Sequence, residues 1–293
     1  MSSLPFVIVD VFTRTPGGGN PLAVVFDAEG VDDATLQRIA REFNFSETTF
    51  VLPPTQTDHD YRVRIFTPTR EVPFAGHPNI GTACVLAERG MARNGGFRFE
   101  ELAGTVEIEV TTQPELWARL RAPGALTTGD GESVGLVAEA IGLAPNDIVT
   151  DTHEPLEASV GLEFTMVELR TRQALSRAEV NVTALKAAHA AGINPDLHCY
   201  VRDAQNIEAR MFAPMDGVIE DPATGSANCA LTALLTALHP DEDVRLEWQV
   251  SQGVDMGRPS VLALATEKIG GRLSDVWLAG HSRVFADGKL RLD

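Results

Sequence analysis

The chain has few cysteines and no long apolar run. Its three cysteines, Cys84, Cys199 and Cys229, lie far apart and form no C-x-x-C pair. This usage argues against disulfides and a structural zinc, and it is typical of reduced thiols in a cytosol. No apolar run approaches the roughly 18 to 20 residues of a membrane helix, and the amino terminus lacks the basic-then-apolar layout of an export signal. We therefore expect a cytoplasmic protein that does not enter a membrane.

Basic residues are also scarce. Lysine and arginine number 24 against 41 aspartates and glutamates, which gives a formal net charge of −17. A charge of this sign repels nucleic-acid phosphates and anionic lipid headgroups, so we expect no nucleic-acid partner. Hydrophobic residues make up 44% of the 293-residue chain and charged residues 22%, which indicates a globular protein long enough for two domains.

Short β-rich runs separated by glycine and proline dominate the sequence. The predicted strands are Phe6 to Phe12, Leu22 to Phe26, Thr48 to Leu52, Tyr61 to Phe66, Thr105 to Val110 and Trp117 to Leu120. Residues 32–43 have the period of an amphipathic helix, with Asp32 and Asp33 available as caps. Residues 79–88 and 228–238 are apolar on nearly every side, which predicts two helices that are each enclosed by a curled sheet. The glycine-rich segment 122–132 predicts a boundary between two halves.

A weak internal repeat connects these halves. The segment around Leu36 resembles the segment around Leu185, and AGHPN at 75–79 aligns with TGSAN at 224–228, both at an offset of 149 residues. RIFTP at 64–68 also recurs, as RMFAP at 210–214. A different register, which aligns Pro78 with Pro222, and chance similarity between glycine-rich turns are the alternatives. We prefer the offset of 149 because two separate segments give it.

Gly76 and Gly225 each open one of the apolar helices. Such a start presents unpaired backbone N–H groups and the positive end of the helix dipole, which together suit an anion. No phosphate-binding loop or dinucleotide fingerprint is present, so a carboxylate is the expected guest. The alternative is that both glycines only end strands.

Four polar residues lie close to these helix starts: Glu47, His77, Asp221 and Ser226. Each has an ordinary structural explanation, as a solvated acid, a buried histidine, a turn residue or a cap. The repeat strengthens the functional interpretation because His77 and Ser226 follow Gly76 and Gly225 at the same repeat position. We therefore expect these residues to converge on one cleft.

The chain lacks the residue spacings typical of metal sites and serine hydrolases, and its cysteines do not suggest cysteine catalysis. The seven histidines form no H-x-x-x-H or H-E-x-x-H pair, so we expect no metal site. Ser226 does not lie in a G-x-S-x-G elbow, which argues against a serine hydrolase. Cys84 and Cys229 fall inside the apolar helices, so we interpret both as core residues.

A set of motifs in a fixed order resembles the phenazine-biosynthesis PhzF-like isomerase family over the chain from about Phe6 to the final GHSRVFADGKL. The motifs are VDVFT, GGGNPLAVV, NFSETTFV, RIFTPTREVPFAGHPNIGT, RMFAP, EDPATGSANCAL and QGVDMGRPS. The resemblance implies an α+β fold like that of diaminopimelate epimerase, with two pseudo-symmetric half-barrels of mostly antiparallel strands, each around a central helix. We expect the first half-barrel at 1–121, completed by a strand at 283–293, and the second at 122–282, with the active site between them. The family also implies a homodimer and no cofactor.

The resemblance also implies roles for the candidate residues. Glu47 would be the general acid/base, His77, Asp221 and Ser226 would assist or position the substrate, and Gly76, Gly225 and Ser226 would bind its carboxylate. Related racemases carry a cysteine before each cleft glycine, where Ala75 and Thr224 stand here. Two-thiol racemisation is therefore not expected.

Further contacts to the substrate are less specific. Gln252, Gly253 and Arg258 are candidates to line the cleft. The sequence departs from the family pattern at Ser251, where glutamate is frequent, and at the late pair Gly280 and His281. These departures put the substrate contacts of the second half in doubt.

The expected activity is a cofactor-independent isomerisation that moves a carbon-bound proton in a small amino-acid-like or cyclohexadiene carboxylate. Two alternatives remain open from the sequence. A lyase or dehydratase acting on a small hydroxy or amino acid begins with the same proton abstraction. A noncatalytic metabolite-binding protein would retain the scaffold without turnover.

Overall fold

The computed structural model describes residues 3–292 and divides the chain into two compact units. The first unit comprises Met1–Arg121 and Leu278–Asp293, and the second comprises Ala122–Trp277. The final strand, β17 (Arg272–Arg291), runs through the division between them. The second unit is therefore inserted, along the chain, between two segments of the first.

The first unit is a curled sheet around one buried helix. Its strands are β1 (Ser3–Val11), β2 (Asn20–Val25), β3 (Glu47–Leu52), β4 (Tyr61–Phe66), β5 (Glu71–Val72), β6 (Gly96–Glu101), β7 (Gly104–Thr111) and β8 (Trp117–Arg121), and its helices are α1 (Asp33–Phe43) and α2 (Gly76–Glu88). Helix α2 is buried from Gly76 to Ala87 and contacts strands β1, β2, β3, β7 and β8. Such burial on all sides requires an apolar helix, which is what the sequence provides.

Strand pairing in the first unit is mainly antiparallel. β1 pairs antiparallel with β2 and with the last part of β17. β2 pairs parallel with β3 and β4 pairs parallel with β6, while β3–β4, β6–β7 and β7–β8 are antiparallel. The end of the chain thus completes the sheet of the first unit beside β1.

The second unit has the same plan. Its strands are β9 (Thr127–Gly131), β10 (Leu156–Ser159), β11 (Glu163–Glu168), β12 (Leu197–Asp203), β13 (Asn206–Ala213), β14 (Val218–Asp221), β15 (Val244–Gln252) and β16 (Ser260–Ile269), and its helices are α3 (Val134–Ala140), α4 (Arg172–Arg177), α5 (Val182–Ala190) and α6 (Gly225–Ala237). Helix α6 is buried from Gly225 to Thr236 and contacts β10, β11, β15 and β16. Each unit therefore encloses one apolar helix.

The repeat holds at the predicted offset of 149 residues. α2 begins at Gly76 and α6 at Gly225, and Phe50 of β3 has the position of Cys199 of β12, both at 149 residues. Phe50 lies opposite Arg64 as Cys199 lies opposite Arg210, although these two arginines are 146 residues apart. The alternative register is wrong because it aligns Gly225, the first residue of α6, with Gly81 inside α2. Gly81 has a packing role of its own, since a Cβ there would lie 2.7 Å from the side chains of Leu22 and Val11.

A matched ion pair supports the strand before each enclosed helix. The guanidinium of Arg64 binds both carboxylate oxygens of Glu71 at 2.7 Å, and that of Arg210 binds both oxygens of Glu220 at 2.8 Å. Bidentate pairs of this kind fix geometry as well as charge. They hold β5 against β4 and β14 against β13, immediately upstream of α2 and α6.

The predicted strands and helices of the first half are confirmed, with small shifts at the ends. Phe12 leaves β1 with a positive φ of 65°. Asp32 caps α1 by accepting a hydrogen bond from the Thr35 N–H at 2.9 Å. The boundary segment 122–132 contains a strand that the sequence did not predict, β9, whose run of Thr, Gly and Asp has no apolar alternation.

Within residues 3–292, no helix combines the length and apolar character needed to cross a membrane.

Candidate active site

In the first unit, Glu47 and His77 lie together at the start of α2. Glu47 is the first residue of β3, opposite Leu22 of β2, and its side chain is 18% exposed. His77 is the second residue of α2 and is buried, with Nδ1 3.4 Å from Glu47 Oε2 and 3.4 Å from Asn20 Nδ2. The parallel β2–β3 pair therefore brings an acid and an amide to the same imidazole nitrogen.

The imidazole of His77 is neutral at pH 7. Burial lowers the pKa of His77 to about 3 because a charged ring would lose its hydration. The 3.4 Å contact with Glu47 is thus a polar contact of a neutral ring and not an ion pair. Nδ1 accepts a hydrogen bond from Asn20 Nδ2 in the tautomer that carries its proton on Nε2. His77 Nε2 is buried and has no hydrogen-bond partner in the described part of the chain.

Both enclosed helices begin without a side-chain cap among the described residues. The N-cap residues are Ala75 for α2 and Thr224 for α6, and both have extended backbone conformations. The first N–H groups of a helix have no partner inside the helix, and they carry its positive dipole end. Each start is therefore suited to a negatively charged group such as a carboxylate.

In the second unit, the approach to α6 is held by Asp221. Asp221 ends β14 and is buried, and its Oδ2 accepts a hydrogen bond from the Thr224 hydroxyl at 2.5 Å. This bond uses the Thr224 hydroxyl, so that side chain does not cap its own helix. Gly225 and the buried Ser226 follow as the first helical residues.

Gln252 fixes this turn through four hydrogen bonds. Its Oε1 accepts from the Thr224 N–H at 3.1 Å and from Asn228 Nδ2 at 2.8 Å. Its Nε2 donates to the Asp221 carbonyl at 2.8 Å and to the Thr224 hydroxyl at 3.0 Å. A fully bonded buried amide specifies one local geometry, so Gln252 positions the segment between Asp221 and α6.

The residues that follow Gln252 pack against the same turn, between Asp221 and Thr224. Gly253 has a positive φ of 73°, and a Cβ there would lie 2.6 Å from the Pro222 carbonyl oxygen and 2.4 Å from that of Arg258. The Ser260 hydroxyl donates to the Pro222 carbonyl at 2.9 Å. Only glycine fits at position 253, and the motif acts on the Asp221–Thr224 turn from inside the second unit.

Cys84 and Cys229 lie in the core, as predicted, and Cys199 is buried as well. Cys84, Cys199 and Cys229 are free and buried. Burial raises the pKa of each thiol to about 12, so thiolate is scarce at neutral pH. Ala75 and Thr224 stand immediately before the helix-opening glycines, where a thiol would be required for two-cysteine racemisation. Among residues 3–292, no group of three or more His, Cys, Asp or Glu residues is arranged to hold a metal ion.

The structure brings the candidate residues together unit by unit. Glu47, Gly76 and His77 meet at the start of α2, and Asp221, Gly225 and Ser226 meet at the start of α6. Two further residues of these helix starts were not expected from the motifs: Asn20, which bonds His77, and Asn228, which bonds Gln252. A signal existed for the second of these: Asn79 and Asn228 are polar residues at one repeat position inside otherwise apolar helices.

Comparisons with known proteins agree with this architecture. The model of the phenazine biosynthesis-like protein family, PhzC-PhzF, matches residues 9–288. A protein of Mesorhizobium japonicum named as an uncharacterized isomerase is 37% identical over 306 residues, 99% of each chain. The trans-2,3-dihydro-3-hydroxyanthranilate isomerase of Pseudomonas chlororaphis is 36% identical over 290 residues, 98% of this chain and 99% of its own.

A solved structure extends the likeness to three dimensions. The crystal structure of a PhzF-family phenazine biosynthesis protein from Bacillus anthracis superposes with a TM-score of 0.89 at 27% sequence identity, over 100% of both chains. The predicted family and fold class are thereby confirmed. This chain belongs to the phenazine biosynthesis-like family and is a PhzF-like isomerase.

Proposed function

We propose that the protein is a cofactor-independent isomerase that moves a carbon-bound proton in a small carboxylate-bearing substrate, with Glu47 as the general acid/base. The observation that carries the proposal is the contact between the Glu47 carboxyl and the neutral, buried His77 at an uncapped helix start. A proton-transfer group, a polar partner and an anion site are thus adjacent in one unit.

The proposed reaction conserves atoms and electrons. The Glu47 carboxylate accepts a proton from a carbon of the substrate, and the electron pair of that C–H bond delocalises into the adjacent unsaturated system. The carboxyl proton of Glu47, whose side chain is partly exposed, exchanges with solvent before Glu47 delivers a proton to a different carbon. This delivery restores the carboxylate and shifts a double bond. No redox partner is needed, and the substrate and product have the same mass.

The remaining residues would stabilise charge. Backbone N–H groups of Gly76, Gly225 and Ser226 would bind the substrate carboxylate. His77, Asp221 and the Ser226 hydroxyl would hydrogen-bond to an amine or hydroxyl next to the reacting carbons. The Pseudomonas chlororaphis relative is named as an isomerase of a dihydro-hydroxyanthranilate, and an anthranilate carries a carboxylate group. We extend only this class of substrate to the present chain.

The test is a search for labelled products in deuterated water. Purified protein is incubated with pools of small unsaturated carboxylates, and mass spectrometry follows deuterium in substrate and product. We expect a product of unchanged skeleton mass with solvent deuterium at carbon, and no labelling with Glu47→Gln. Labelling retained in Glu47→Gln would remove Glu47 from this role, and a product lighter by water or ammonia would favour a lyase.

The homodimeric state and the cytoplasmic location stay predictions. Relatives of this family are the basis for the dimer, and sedimentation velocity at micromolar protein would measure it. A monomer at all concentrations would contradict that part of the proposal without affecting the role of Glu47.

A further inference from the structure

The first unit buries a carboxyl group that the proposed reaction does not use. Glu101 is the last residue of β6 and is 9% exposed. Neither of its carboxylate oxygens has a hydrogen-bond partner in the described chain. A buried carboxylate without partners is costly, because ionisation requires hydration or compensating donors. Such a group requires an explanation.

Asn79, on the first turn of α2, is the polar neighbour of Glu101. Its Nδ2 donates to the Ala75 carbonyl at 3.1 Å, which closes the first turn of the helix. Its Oδ1 is buried and receives no hydrogen bond from residues 3–292. The Asn79 amide lies close enough to act on the pKa of Glu101, but the two side chains do not reach hydrogen-bonding geometry.

The second unit shows a completed version of this arrangement. Asn228 has the repeat position of Asn79 and donates through Nδ2 to the Thr224 carbonyl at 2.9 Å. Gln252 ends β15, which pairs parallel with β13 as β6 pairs parallel with β4. Its amide binds Asn228 at 2.8 Å and fixes the start of α6. Glu101 and Gln252 are thus terminal residues of equivalent strands, each beside the asparagine of its enclosed helix.

We propose that Glu101 is a positioning residue whose protonated carboxyl binds the Asn79 amide and fixes the start of α2, as the Gln252 amide fixes the start of α6. A protonated carboxyl has one donor and one acceptor oxygen, like a primary amide. The acceptor suits Asn79 Nδ2, and the O–H group supplies the donor that Asn79 Oδ1 lacks. An ionised carboxylate accepts only, and it would face Asn79 Oδ1 with like polarity.

The surroundings of Glu101 favour the protonated form. Burial raises the pKa of Glu101 to about 8, and the Asn79 amide opposes only part of that rise. On α2, burial lowers the pKa of His77 to about 3 and raises that of Cys84 to about 12, so both are neutral near pH 7.

Within residues 3–292, no charged group acts on the pKa of Glu101. Arg62 of β4 lies opposite Glu100 and not opposite Glu101. On β5, Glu71 is occupied by Arg64. On β7, Gly104 lies opposite Glu101, and the next residue, Thr105, contacts His59 Nε2. On β6 itself, Glu100 binds the hydroxyl of Thr55. The groups that pack around β6 therefore give no compensation for a charge on Glu101.

The sign of the expected pH effect follows from the raised pKa. Between pH 4.5 and about 8, the folded chain retains a proton that the unfolded chain has released. The contribution of Glu101 to the free energy of unfolding therefore decreases as pH rises through this interval. Above about pH 8 the folded carboxyl also ionises, and the O–H donor to Asn79 Oδ1 is lost.

The first experiment measures stability, which does not depend on the reaction. Unfolding midpoints of wild type, Glu101→Gln and the adjacent control Glu100→Gln are compared from pH 6 to 9.5. We expect the midpoint of wild type and of Glu100→Gln to fall relative to Glu101→Gln as pH rises, since glutamine keeps donor and acceptor and does not ionise. Parallel curves for wild type and Glu101→Gln would overturn the proposal.

The second experiment measures position, and it rests on the proposed function. With a substrate in hand, we expect kcat/KM of wild type to fall about tenfold per pH unit above about pH 8, Glu101→Gln to lack this decline, and Glu101→Ala to be weak throughout. An unchanged alkaline decline in Glu101→Gln would overturn the positioning role. If no isomerase turnover is found, the proposed function fails, while the stability experiment still decides the protonation of Glu101.

Discussion

The two units share a frame but differ where their enclosed helices begin. The bidentate pairs Arg64–Glu71 and Arg210–Glu220 occupy equivalent strands, and each arginine lies over a phenylalanine two residues further along the chain, at 5.1 and 4.9 Å from the ring centre. At the helix starts the residues diverge: His77 stands where Ser226 stands in the repeat. The ion pairs and the arginine–phenylalanine contacts are thus the same in both units, whereas the polar residues at the helix starts differ from one unit to the other.

The largest expected difference concerns the two acids at the starts of equivalent strands. Glu47 opens β3, and Asp196, at the same repeat position, directly precedes β12. We expect Glu47→Gln to lower the rate of solvent deuterium incorporation by about 10² to 10⁴, which is the usual contribution of a general acid/base. Asp196→Asn should leave that rate largely unchanged, because no imidazole follows Gly225. Similar losses in both variants would show that the chemistry is shared by the units.

The ion pairs of the frame should rank next. Arg210 and Glu220 are 11% and 13% exposed, and Arg210 Nη1 also donates to the Leu175 and Ala178 carbonyls. We expect Arg210→Met to lower the free energy of unfolding by about 3 kcal/mol, measured in urea, because an unpaired, largely buried carboxylate remains. Arg64→Met should cost about 2 kcal/mol, since Glu71 is more exposed. Replacing Glu71 by leucine in the Arg64→Met chain should recover part of the loss; a further loss would contradict this explanation.

The buried histidines should make each unit sensitive to acid. Burial lowers the pKa of His77 to about 3 and that of His198 to about 4. Below pH 6.5 these histidines bind protons in the unfolded chain but stay neutral in the folded chain. The free energy of unfolding therefore decreases as pH falls below 6.5. Each histidine should lower the free energy of unfolding by about 1.4 kcal/mol for each pH unit below 6.5, down to its own lowered pKa.

His198→Gln isolates one of these contributions, because glutamine keeps a donor for Asn228 Oδ1, which His198 Nε2 binds at 3.1 Å. We expect urea unfolding between pH 6.5 and 4.5 to show a shallower loss of stability in this variant. The matched change at the partly exposed His239 is the control variant. Equal slopes for wild type and His198→Gln would refute the assignment.

The smallest effects should come from the cysteines inside the enclosed helices. Cys84→Ala and Cys229→Ala remove one small buried group each, so we expect about 1 kcal/mol of lost stability per change. The rate of deuterium incorporation should not change. A large loss of exchange in either variant would restore a thiol mechanism and break the distinction from the two-cysteine racemases.

Local pattern was enough to predict the frame. Strand alternation placed β4 at its observed bounds, and the apolar runs after Gly76 and Gly225 predicted the two enclosed helices. β9 was not predicted because its residues are exposed and not apolar. Propensity and burial leave clear traces in sequence, whereas a short polar strand depends on its pairing with β10.

The candidate site was less accessible to sequence reasoning. Glu47 and His77 were selected from motifs and lie in contact, but the residues that stand beside the starts of the two enclosed helices come from distant strands. Gln252 is 28 residues from Thr224 along the chain, and Glu101 becomes notable only when its burial is known. Hydrogen-bond networks depend on three-dimensional proximity, and a single sequence records that poorly.

The path of β17 has a consequence for synthesis on the ribosome. The strand that pairs with β1 comes from the last residues, Ser282 to Arg291, after the whole second unit has been translated. A nascent chain can therefore complete the later-encoded unit while β1 still lacks this edge partner. We expect carboxy-terminal truncation before Leu278 to expose that edge and cause aggregation during translation, even though most of the polypeptide has emerged.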